Sequence, residues 1–116
     1  MISDIKIGKK TITMAANAAT CYRYKQCFKK DLFQVIRKFD ENSDQEVETI
    51  QELAYVMAMQ GAKRAAEISL ADYMTWLDEF EAMDILNASA DIIGLYIGQT
   101  GTSSKAKKKV DQQSGS

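Results

Sequence analysis

The chain has 116 residues, 46% of them hydrophobic, which is one domain's worth of sequence with enough apolar content for a single modest core and too much for global disorder. Histidine is absent, which removes Ser-His-Asp and Cys-His catalysis, histidine-ligated metals and the commonest general base. The net charge of −1 hides a segregation: residues 1–30 carry seven Lys/Arg against Asp4, residues 31–98 carry fourteen Asp/Glu against four Lys/Arg, and residues 99–116 carry four Lys against Asp111. The larger block is acidic, the reverse of a nucleic-acid-binding surface.

"DIKIGKKTITM" alternates Ile5 and Ile7, then Ile12 and Met14, around Gly8-Lys9-Lys10. Period 2 interrupted by a turn predicts a short β-hairpin at about 3–14. From there the apolar period is helical. Thr20 is placed to cap a helix bearing Tyr24, Cys27 and Phe28, and Asp31 to cap one bearing Leu32, Val35, Ile36 and Phe39. Ser43 and Glu46 form an S-x-x-E capping box ahead of a stripe of Val47, Ile50, Leu53, Ala54 and Met57, which Gly61 ends. Ser69, with Asp72 three residues on, opens a helix whose buried stripe is expected to be Leu70, Tyr73, Leu77 and Phe80. A last helix is expected from Ala82 to Tyr96. Proline is absent, so termination falls to Asn17, Asn42, Gly61, Gly98 and Gly101. The expected fold is mainly α: a small domain of four to five helices over residues 1–98, with an N-terminal β-hairpin, followed by a disordered basic tail at 99–116.

No window holds the ~18 unbroken apolar residues of a membrane span, and "MISDIKIGKK" is no signal peptide. Cys21 and Cys27 then read as free thiols in a reducing compartment. They sit about 120° apart on a helix and lack the second pair that a zinc site needs, so two small buried or half-buried thiols are expected. "FDENSDQEVETIQEL" places Asp40, Asn42, Asp44 and Val47 at calcium-loop positions. Gln45 replaces the required glycine, and Gln51 the final bidentate glutamate, so no metal is expected there. Asp78, Glu81 and Asp84 recur every three residues and read as a solvated acidic face. The candidate partner-binding residues are Met57, Met59, Tyr73, Trp76 and Phe80, an aromatic and sulfur-rich set suited to an adaptable groove for a helical partner. No catalytic residue, cofactor or membrane contact is expected.

The order of pieces carries a resemblance. A hairpin is followed by "AATCYRYKQCFKKDLFQVI", by "IQELAYVMAMQ", by "LADYMTWLDEFEAMDILNASADIIGLYIGQT", and by a polar tail containing "SKAKKK". Over roughly residues 5–109 this resembles the tail assembly chaperones of long-tailed phages and prophages of low-GC Gram-positive bacteria. The most telling parts are Trp76–Phe80, the apolar helix after it, and the linker into the lysine run. The resemblance implies a non-enzymatic helical protein of the bacterial host cytoplasm, absent from the finished virion. Such a protein binds the tape-measure protein, keeps it soluble and helps the major tail protein polymerise. Self-association is expected through the basic first thirty residues and the acidic middle of a neighbouring copy. The family also implies a longer product made by ribosomal frameshifting, with Lys107, Lys108 and Lys109 as the candidate slip region. Two rival classes follow from the residues alone: a small helical regulatory module binding protein or nucleic acid through its basic ends, and a cation sensor at Asp40–Asp44.

Overall fold

The computed structural model describes residues 1–37 and 43–99, apart from the side chains of 43–46 and 99. Among them are a two-stranded antiparallel hairpin, β1 (Ile2–Ile7) and β2 (Lys10–Ala15), and six helices: α1 (Thr20–Phe28), α2 (Leu32–Arg37), α3 (Ser43–Gly61), α4 (Leu70–Leu77), α5 (Asp84–Asn87) and α6 (Ser89–Gln99). A 3-10 turn at Ala65–Glu67 joins α3 to α4. The protein is mainly helical with an N-terminal hairpin, as the sequence predicts. Phe39, Asn42 and the calcium-loop positions Asp40 and Asn42 lie outside the described residues, as do Gly101, Lys107, Lys108 and Lys109. The side chains of Ser43, Asp44, Gln45 and Glu46 do too.

The hairpin follows its alternation. Ile5 pairs with Ile12, and Ile7 with Lys10 across the two-residue turn Gly8-Lys9. Gly8 takes φ 62°, which a glycine adopts without steric cost. Ile5, Ile7 and Met14 are buried on the inner face. On the outer face Thr13 Oγ1 donates to Asp4 Oδ1 at 2.7 Å across the directly opposed pair.

α3 is the axis of the fold. It packs against β2, α1, α2, the 3-10 turn, α4, α5 and α6. From Thr49 to Gln60 every residue but Gln51 is buried. The sequence stripe of Ile50, Leu53, Ala54 and Met57 is there, but Tyr55, Val56, Ala58 and Met59 are buried as well. A helix apolar on all sides belongs inside, and "LAYVMAM" is apolar on all sides. Gly61 has a packing reason beyond helix termination. A Cβ there would lie 2.1 Å from the Thr13 carbonyl oxygen, so the bare backbone is what lets β2 cross the end of α3.

Three expectations change. Thr20 does not cap α1: the cap residue is Ala19, whose N–H donates to Asn17 Oδ1 at 2.9 Å, while Thr20 Oγ1 accepts from Asn17 N at 3.0 Å. The expected helix Ala82–Tyr96 is two helices broken at Ala88. Its neighbours Asn87 and Ser89 are residues whose side chains compete for local backbone groups and favour helix ends. Gly98 does not end the last helix, which runs to Gln99.

Candidate interaction surface

α4 is held at its start by a hydrogen-bonded cap. Ser69 is its cap, accepting from Asp72 N at 3.1 Å. The Tyr55 hydroxyl, from the centre of α3, donates to Asp72 Oδ2 at 2.7 Å and accepts from Ser69 N at 3.2 Å. Burial and the Asp72 bond push the Tyr55 phenol well above its ordinary pKa, so it stays a donor. The start of α4 is thereby fastened to the core.

A run of touching rings continues that fastening. Tyr24 meets Phe28 at 5.1 Å between centroids, Phe28 meets Tyr73 edge-on at 5.0 Å, and Tyr73 meets Tyr55 at 5.2 Å. Tyr55 then meets Trp76 at 5.6 Å, and Trp76 meets Phe80 at 4.8 Å. These tilted and edge-on contacts are the favourable geometries for aromatic pairs. Lys10 closes the far end, 5.3 Å above the Phe80 ring and 2.8 Å from Glu79.

The apolar residues of α4 cover an arc of about 160°, from Trp76 through Tyr73, Leu77 and Leu70 to Met74, at 3.6 residues per turn. Only one side of that arc is docked. Tyr73 is buried, and Trp76 and Leu77 are half-buried against the core. Leu70 is 58% exposed and Met74 57% exposed. One turn apart on one line, they form an apolar ledge on a helix whose other side is fixed.

The predicted partner-binding residues separate accordingly. Met57 and Met59 are 0% and 2% exposed; Met57 is core, and Met59 lies at the floor of an open groove that Trp76 also lines. Tyr73 is an anchor beneath the ledge. Trp76 and Phe80 are half-buried, and Trp76 keeps an edge on an open groove shared with Ile12, Ala62 and Glu79. Leu70, expected in the buried stripe, is outside it. The sequence reading missed Leu70 and Met74 as surface residues because periodicity shows which side chains share a face, and the face is wider here than the contact it makes.

A buried polar cluster went unnoticed in the sequence as well. Glu52 on α3 accepts from the Tyr24 hydroxyl, and Lys30 donates to both Glu52 (3.1 Å to Oε2) and Glu48. Burial raises the Glu52 pKa, and the bonds from Tyr24 and Lys30 offset only part of that. Burial lowers that of Lys30, but its two carboxylate partners outweigh this and leave it raised. The Tyr24 phenol is raised by burial and then by Glu52. The Thr49 hydroxyl lies close enough to counter part of that shift, yet has no hydrogen bond of good geometry. The cluster ties the α1–α2 turn to α3. The signal was Glu48 and Glu52, one helical turn apart after a basic turn. Gln60 does the same for the hairpin: its amide donates to Ala15 O at 2.7 Å and Thr20 Oγ1 at 2.9 Å, and it accepts from Arg23 at 2.8 Å.

Other features stay apart. Cys21 is exposed, contrary to expectation, and Cys27 half-buried; burial and then Glu52 push the Cys27 thiol up, so it is a poor nucleophile. Asp78 and Glu81 are exposed, while Asp84 Oδ2 accepts from Glu81 N at 3.0 Å and sits over Gly8 in the hairpin turn. Among the described residues no group of Cys, Asp and Glu could hold a metal ion, and no helix is long and apolar enough to cross a membrane. Comparison with protein-family models, with curated proteins and with solved structures finds no match.

Proposed function

We propose that the protein is a tail assembly chaperone of the long-tailed phage type, a non-enzymatic holder of the tape-measure protein in the bacterial host cytoplasm. It keeps that protein soluble, assists polymerisation of the major tail protein around it, and leaves before the virion is finished. A longer frameshifted product, diverging at Lys107–Lys109, belongs to the same reading. One observation carries the proposal: Leu70 and Met74 stand exposed on a helix whose opposite side is locked by Tyr55, Tyr73 and the ring contacts. A long helical protein exposes apolar stripes until it is enclosed, and a rigid apolar ledge shields such a stripe without ordering cost on the holder's side.

The test is co-expression with the tape-measure protein of the same tail operon. The expected result is a soluble complex that co-purifies with the wild type and is lost with Leu70→Asp or Met74→Asp, while both variants melt like the wild type. An insoluble tape measure, or one whose solubility ignores both substitutions, overturns the proposal.

A further inference from the structure

The ledge lies in a stretch of one charge sign. From Ala65 to Ser104 the chain contains seven carboxylates and no Lys or Arg. Asp78 follows Met74 by one turn, on the line that Leu70 and Met74 define. Neither Asp78 nor Glu81 is in an ion pair with a described residue, and both are exposed. The carbonyl end of α4 points the same way, adding partial negative charge where Asp78, Glu79 and Glu81 gather. Glu79 is partly compensated by Lys10, and Asp72 by the Tyr55 hydroxyl. Lys9 and Lys10 line the same groove as Glu79, Glu81 and Asp84, so with Asp78 four carboxylates stand against two lysines, and the excess charge at this end of the ledge is negative.

We infer that the occupant of this ledge is an amphipathic helix with Lys or Arg beside its apolar stripe, docked with its basic residues at the C-terminal end of α4. The inference rests on the reading of α4 as a docking face and adds the partner's chemistry and direction. The apolar contact with Leu70 and Met74 supplies affinity that is indifferent to salt, and Asp78 and Glu81 supply selectivity that salt screens. An acidic helix meets the same apolar residues and is repelled.

The test uses the full chain and two labelled amphipathic peptides of about 18 residues, long enough to cover the ledge as helices. One pairs a leucine stripe with lysine, the other the same stripe with glutamate. Fluorescence anisotropy is read at about 50 mM and about 300 mM salt, on either side of a Debye length of ~10 Å. The lysine peptide is expected to bind about tenfold or more tighter at low salt, with the ratio shrinking at high salt. Leu70→Ser with Met74→Ser weakens both peptides. Asp78→Asn with Glu81→Gln removes the preference for lysine. Asp91→Asn, on α6 and exposed, changes nothing. Equal binding of the two peptides overturns the inference. So does an Asp91→Asn effect as large as the Asp78 and Glu81 effect, since the attraction then belongs to the whole molecule. Self-association in sedimentation velocity that the Leu70 and Met74 substitutions abolish also overturns it, since a second copy is then the occupant. Tape-measure capture that depends on Leu70 and Met74 but ignores Asp78 and Glu81 sinks this inference and leaves the chaperone reading standing. A lysine preference without tape-measure capture does the reverse.

Discussion

Two glycines in helices have opposite reasons to be there. Gly94 in α6 is exposed, and a Cβ on it meets nothing within 4 Å. Gly94→Ala is expected to raise stability by about 1 kcal/mol through helix propensity alone, a rise of roughly 4–8 °C in Tm for a domain of this size. Gly61→Ala forces a methyl group onto the Thr13 carbonyl and is expected to cost about 1–3 kcal/mol or more. A thermal melt of each variant checks both signs. Glu52 gives a prediction with a pH dependence. Its folded pKa is raised, so the folded state holds the proton more tightly than the unfolded state does. Its contribution to stability is then greatest at acid pH and falls as pH rises from the ordinary carboxylate range, near ~4.3, through the raised value. Urea melts across that window should show the wild type gaining on Glu52→Gln as pH is lowered. A loss instead would mean that Lys30 and Tyr24 outweigh the burial. Of the Glu52 cluster the sequence carries only the spacing of Glu48 and Glu52 after a basic turn. The partners of Glu52 are not legible, because a string of residues does not show that Tyr24 and Lys30 come from another helix and turn to meet it.

Among elements, the sequence was most readable where a single period governs a segment. The hairpin alternation, the Asp31 and Ser69 caps and the apolar positions of α3 were all legible, because each depends on neighbours within a turn or across one tight loop. Asp31 Oδ1 does accept from Phe33 N at 3.0 Å. What failed was the sorting of faces. α3 was read as one-sided and is buried all round from Glu52 to Gln60; α4 was read as buried along its stripe and is half-docked. Both errors have one physical source: the depth of an element depends on how many others lie on it, and that is a property of the tertiary arrangement. The contrast within α4 is measurable. Leu70→Ala removes an exposed side chain and should change stability by less than about 0.5 kcal/mol. Tyr73→Ala removes the ring between Phe28 and Tyr55 and should cost about 3–5 kcal/mol. Urea melts of the two separate ledge from anchor. A Leu70 cost as large as that of Tyr73 would mean that α4 is turned further into the core.

For the whole molecule, dependence on one helix predicts how it opens. Hairpin, α1, α2, α4, α5 and α6 all rest on α3, and no second core exists among the described residues. Amides from Leu53 to Met59 are therefore expected to exchange with solvent only through global unfolding, with protection equal to the full stability, while those of α5 and α6 exchange by smaller openings. Hydrogen exchange under native conditions, compared with the stability from denaturant melts, checks this. Protection in α3 well below the global value would split the fold into separate units.

That axis also sits near the middle of the chain. On the ribosome, the hairpin and the first two helices are finished before the helix they rest on exists. Once α3 is made, the side that α4, α5 and α6 will cover has no cover while residues 62–99 are added, for about 2–8 s at ribosomal elongation rates. As α3 leaves the ribosome ahead of α4, α5 and α6, a newborn copy presents Tyr55 and the neighbouring apolar face without the elements that cover them in the finished fold. The chain thus carries its greatest aggregation hazard in the order of its own synthesis, before its second half closes over α3.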